Sequence, residues 1–126
     1  MSEVALQAVG LRKRFGTLTA VDDLSLDVRD GEIFGLLGPN GAGKTTTISM
    51  LCGLLRPDAG EVRVHGEVLR ADGDAVRTRV GICPQQIVVW RDLGCLEQLV
   101  YVGRLYGLRT AEARDRGRRL LAALGL

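Results

Sequence analysis

Gly38-Pro39-Asn40-Gly41-Ala42-Gly43-Lys44-Thr45 decides how this chain folds. The stretch fits G-x-x-x-x-G-K-[ST], the phosphate-binding P-loop. Ahead of it, Ile33-Phe34-Gly35-Leu36-Leu37 is short and apolar, as in a strand buried on both faces. Behind it a helical pattern begins. A strand feeding a glycine-rich loop feeding a helix N-terminus is the setting the motif needs. Glycines let the backbone curl so that successive N–H groups aim at one anion. Lys44 suits the β- and γ-phosphates, and the Thr45 hydroxyl suits the Mg²⁺ that bridges them. Gly38, Asn40, Gly41, Ala42, Gly43, Lys44, Thr45 and Thr46 are therefore the expected phosphate-binding residues, with Lys44 also the expected catalytic cation.

The helix after the loop is expected from about 43 to 55, with Ile48, Leu51, Cys52 and Leu55 on one buried face. Its first turn is Thr45-Thr46-Thr47, three β-branched residues that form helices poorly. Stability alone would not select them; a site using hydroxyls and N–H groups at a helix start would. Arg56-Pro57-Asp58-Ala59-Gly60 ends the helix.

Alternation predicts strands at 4–9 and 24–28, separated by a basic, turn-like stretch at 10–19 carrying Phe15. A further alternating strand is Glu61-Val62-Arg63-Val64, turned by His65-Gly66-Glu67. The lone His65 reads as a solvent-facing hairpin residue. A short helix is expected at 74–79, a buried strand at 80–83 closed by Pro84-Gln85-Gln86, and helices from about 95 to 106 and from Thr110 onward.

With 126 residues, 46% hydrophobic, the chain suits one globular domain, and its net charge of +2 is too small to argue for nucleic acid or an anionic membrane. Lys13 and Lys44 are the only lysines, so Lys44 is not one of many. Cys52, Cys83 and Cys95 are odd in number, form no C-x-x-C pair and have apolar neighbours, which predicts buried thiols in a reducing compartment. The start lacks the pattern of a secretory signal, and no apolar run approaches the ~20 residues of a membrane span.

These residues together resemble the ATP-binding subunit of ABC transporters, close to the type that drives drug- or polysaccharide-exporting permeases. The likeness runs through Val21-Asp22-Asp23-Leu24-Ser25-Leu26-Asp27-Val28, Gly31-Glu32-Ile33, and the narrow loop version Gly-Pro-Asn-Gly-Ala-Gly-Lys-Thr-Thr-Thr. It continues in Gly53-Leu54, Pro57, Gly60, Val64-His65-Gly66, Gly81-Ile82-Cys83-Pro84-Gln85 and Arg104-Leu105-Tyr106-Gly107-Leu108. The resemblance implies an α/β fold: a P-loop NTPase core, RecA-like with a mostly parallel sheet, an N-terminal antiparallel β subdomain and the start of a helical subdomain. The corresponding divisions are 1–32 and 60–72 for the antiparallel region, 33–58 and 78–86 for the core, and 90–126 for the helical part, all within one domain spanning 1–126.

The same resemblance implies roles by position. Phe15 matches the aromatic that stacks on adenine, usually a Tyr in the family, and Val21 flanks the base. Gln85 matches the glutamine that touches Mg²⁺ and the attacking water and links the site to the membrane partner. The implied cofactors are ATP and Mg²⁺. The implied partners are a transmembrane permease and a second copy of the subunit, with no nucleic acid, placing the protein in the cytoplasm on the inner face of the membrane. The sequence contains no Leu-Ser-Gly-Gly-Gln signature, no acidic strand ending in Asp-Glu and no switch histidine after one. It is therefore expected to be a truncated, N-terminal half that binds ATP without efficient hydrolysis. A non-hydrolysing regulatory module and a soluble ABC ATPase without a permease stay open on the sequence. A GTPase does not, because Asp-x-x-Gly and Asn-Lys-x-Asp are both missing.

Overall fold

The computed structural model describes residues 3–70, 74–86 and 89–126. The chain divides into two compact units, Met1–Ile82 and Cys83–Leu126. In the first, four strands form an antiparallel sheet in the order β2-β1-β3-β4. These are β1 (Val4–Phe15), β2 (Leu18–Arg29), β3 (Ala59–Val64) and β4 (Glu67–Val68). The first two strands run well past the alternating segments read from the sequence. Gly10, at φ +57°, and irregularities in the β1–β2 register carry the ladder through the basic stretch, leaving only Gly16-Thr17 as the turn. Arg12, Arg14 and Phe15 are charged or aromatic strand residues on an exposed surface, which explains why they look turn-like in isolation.

Ala8, Leu11, Val21, Val62 and Val64 form the buried centre of this sheet, and Met50 of helix α1 (Lys44–Leu51) closes it. Helix α1 buries Thr47 and Met50, whereas Ile48, expected on its buried face, is 48% exposed. Asp58 ties the segment after α1 to β1. Its carboxylate accepts from the Arg14 amide at 2.8 Å and from Lys13 Nζ at 2.9 Å. The Arg14 amide first, then the Lys13 ammonium, hold the Asp58 carboxyl below the usual carboxylate range. Gly60 sits so close to β1 that an added Cβ would lie 2.4 Å from the carbonyl oxygens of Val9 and Gly10, at φ +80°.

The expected P-loop strand, 33–37, and the expected strand at 80–83 pair with no other strand among the described residues. Ile33 is 99% and Leu37 95% exposed. A parallel strand takes its ladder partners from distant segments rather than from a hairpin neighbour. The α/β fold with its N-terminal antiparallel sheet is the one the resemblance implies, whereas no strand is paired with 33–37 among the described residues and the parallel part of the sheet is not formed there. Ile33 and Leu37 would share one face of such a strand and Phe34 and Leu36 the other, the pattern of a strand built to be covered on both faces.

A short helix α2 (Asp74–Arg77) follows the sheet. The second unit contains helices α3 (Cys95–Leu105) and α4 (Thr110–Ala123). Ala113 and Gly117 are the buried residues of α4, and a Cβ on Gly117 would come within 2.9 Å of Leu96. Glu97 accepts from the Gly94 amide at 2.8 Å and so caps α3. Trp90 and Tyr101 meet edge to face at 5.1 Å. Cys83 and Cys95 are exposed, contrary to the expectation of three buried thiols; only Cys52 is partly buried, and burial pushes its thiol pKa up. No helix among the described residues is long and apolar enough to cross a membrane.

Candidate functional site

The P-loop owes its shape to two glycines in the left-handed region, Gly41 at φ +84° and Gly43 at φ +86°. The Ala42 amide donates to the Pro39 carbonyl at 3.2 Å, closing a tight turn between them. Gly43 is the residue from which α1 starts, and its carbonyl accepts the first helical bond, from the Thr47 amide, at 2.8 Å. The N–H groups of Lys44, Thr45 and Thr46 are thus left without helical acceptors at the positive end of the helix dipole. Left-handed glycines followed by a helix N-terminus form a concavity of N–H donors suited to an anion.

Lys44 lies across this concavity. Its Nζ donates to the carbonyls of Gly38 and Pro39 at 2.5 and 2.6 Å, and it forms no ion pair among the described residues. Two neutral carbonyls as its partners leave the ammonium without a counter-charge, open to an incoming anion. Thr45 is exposed at the first turn, where its hydroxyl is free to serve a hard cation that prefers oxygen ligands. These donors fit a polyphosphate carrying Mg²⁺: backbone N–H groups and one ammonium for the phosphates, a hydroxyl for the ion.

Strand β2 sets the loop's position. A Cβ on Gly43 would lie 2.3 Å from the Ala20 carbonyl oxygen and 3.4 Å from Val21 Cγ2. A cavity of about 230 Å³ beside the loop is lined by Val21, Ala42, Lys44 and Thr47, among others. Val21 is therefore brought to the loop, but as a buried wall residue at 7% exposure. Ala20 was not legible as a site residue; only the β1–β2 register and the backbone approach to Gly43 reveal it.

The model of the family described as ABC transporter matches residues 21–126. The chain belongs to the ABC transporter family. It is 42% identical over 121 residues to the linearmycin resistance ATP-binding protein LnrL of Bacillus subtilis, covering 96% of this chain and 39% of that protein. It is 45% identical over 122 residues to the daunorubicin/doxorubicin resistance ATP-binding protein DrrA of Streptomyces peucetius, covering 97% and 37%. It is 49% identical over 111 residues to the Nod factor export ATP-binding protein I of Ralstonia nicotianae, covering 88% and 35%. A solved ATP-binding subunit of an ABC transporter superposes with a TM-score of 0.78 at 33% identity, covering 94% of this chain and 49% of that one. The chain thus spans well under half the length of these curated relatives.

Against the ABC family pattern, the remaining candidates fall in two places. Phe15 ends β1, half exposed, opposite Leu18 across the hairpin, with Lys13 Nζ over its ring at 5.7 Å from the centroid. Asn40 is exposed on the loop. Gln85 lies in the second unit, exposed.

Proposed function

We propose that this chain carries the ATP-gripping part of the ATP-binding subunit of an ABC exporter. The observation that carries the reading is the Lys44 ammonium, free of any ion pair among the described residues, lying over a concavity of N–H donors made by Gly41, Gly43 and the start of α1. The loop amides and Lys44 hold the β- and γ-phosphates. Thr45 serves Mg²⁺; Phe15 offers its ring to adenine, and Val21 flanks the base. A Mg²⁺ held there would supply neutralisation of the phosphate charge, a role that the Lys44 ammonium would share. The export reading rests on the drug-resistance and Nod factor relatives, and with it come a membrane permease, a second copy of the subunit, and a location at the cytoplasmic face of the membrane.

Isothermal titration with Mg-ATP tests the reading. Lys44→Ala is expected to abolish measurable binding, because no other lysine stands on the loop. Unchanged affinity in that variant refutes the assignment.

A further inference from the structure

Three ligand-bearing side chains meet at one end of the antiparallel sheet. Glu3 precedes β1, Asp30 follows β2, and His65 occupies the turn between β3 and β4. One ligand atom from each lies within 4.8 Å of the other two, and His65 Nε2 stands 3.9 Å from Asp30 Oδ1. We propose that Glu3, Asp30 and His65 form a surface site for a divalent transition cation of the Zn²⁺ class.

The sheet order explains why they meet. β1 lies between β2 and β3 and runs antiparallel to both, so the start of β1, the end of β2 and the end of β3 share one end of the sheet. Backbone bonds fix the spacing: the Asp30 amide donates to the Glu3 carbonyl and the His65 amide to the Ala5 carbonyl, both at 2.9 Å. The three side chains therefore spring from a rigid ladder rather than from one loop. Ligands about 2.0–2.2 Å from a common Zn²⁺ stand roughly 3.3–3.6 Å apart in a tetrahedron, a contraction that side-chain rotation supplies at exposed positions. Two carboxylates and an imidazole match the charge of a dication, and the nitrogen ligand favours Zn²⁺ or Ni²⁺ over Mg²⁺. Three protein ligands leave a position for water or a further donor. An ion here ties together the ends of three strands, next to the segment that leads from Asp30 to the P-loop. This site owes nothing to the nucleotide reading, which concerns other residues.

His65 is the chain's only histidine, so its ring protons report on the site without ambiguity. The test is a Zn²⁺ titration of the whole 126-residue chain, followed by proton NMR of the imidazole. Zn²⁺ bound at the cysteines leaves this signal in place. The expected result is a saturable shift of the ring resonances near one equivalent, absent with Mg²⁺ at equal concentration. Glu3→Gln and Asp30→Asn should each weaken that response at least tenfold. His65→Asn, which tolerates the positive φ of +46° at this turn, should remove one equivalent of bound Zn²⁺ in calorimetry. Ring resonances that do not move with Zn²⁺ overturn the proposal. So does a shift that survives loss of both carboxylates, since the imidazole would then be acting alone.

Discussion

Two alanine substitutions in the P-loop separate backbone strain from collision with the sheet. Gly41 and Gly43 have nearly the same conformation, φ +84° and +86°, so each pays a similar cost for a Cβ in the left-handed region, about 1–2 kcal/mol. Their surroundings differ. Nothing lies within 4 Å of a Cβ on Gly41, whereas a Cβ on Gly43 falls 2.3 Å from the Ala20 carbonyl oxygen. Relief at Gly43 requires moving either β2, which carries the core residue Val21, or α1, which carries Met50. Forced overpacking of that kind typically costs a further 1–3 kcal/mol. Gly41→Ala should thus lower stability by about 1–2 kcal/mol, and Gly43→Ala by about 2–5 kcal/mol. Urea unfolding of the nucleotide-free chain, followed by circular dichroism, measures both. Equal losses, or a smaller loss for Gly43→Ala, would refute the claim that the sheet positions the loop through this contact.

Two further outcomes can be checked with the same material. Phe15→Ala should weaken adenine nucleotides by about 1–3 kcal/mol in calorimetry while leaving inorganic tripolyphosphate unaffected; equal loss for both ligands rules out a stacking role. Asp58 links the segment after α1 to β1, and its folded-state carboxyl is the stronger acid because of the Arg14 amide and Lys13. Its stabilising contribution is complete above the ordinary aspartate value of about 3.9 and disappears as pH falls below that, through the depressed folded value. The urea midpoint of the unmodified chain should therefore fall more steeply in that acid range than that of Asp58→Asn. Parallel pH profiles would show that the pair contributes nothing.

Much of the candidate site is legible in the residues because its chemistry is local. A glycine at a left-handed position, a lysine one residue later and a hydroxyl at the helix start are consecutive, so their roles follow from order alone. Val21 and Phe15 lie well ahead of the loop in the chain, and their places depend on the β1–β2 pairing. The register irregularities around Gly10 that carry β1 through Arg12 and Arg14 have no signature in alternation, which therefore marks only part of each strand. Ile48 misled for a related reason: helical periodicity shows which residues share a face, but not which face meets the sheet.

The sequence by itself determined the P-loop motif, the helix behind it, the family and the antiparallel character of the early strands, since each rests on neighbouring residues or a short period. Only the tertiary structure decided that β2 braces the loop at Gly43 and that Glu3, Asp30 and His65 converge at one sheet end. It also decided that Ile33 and Leu37 stand uncovered among the described residues. Those facts depend on which distant segments lie side by side, and a local pattern of side chains carries no information about that pairing.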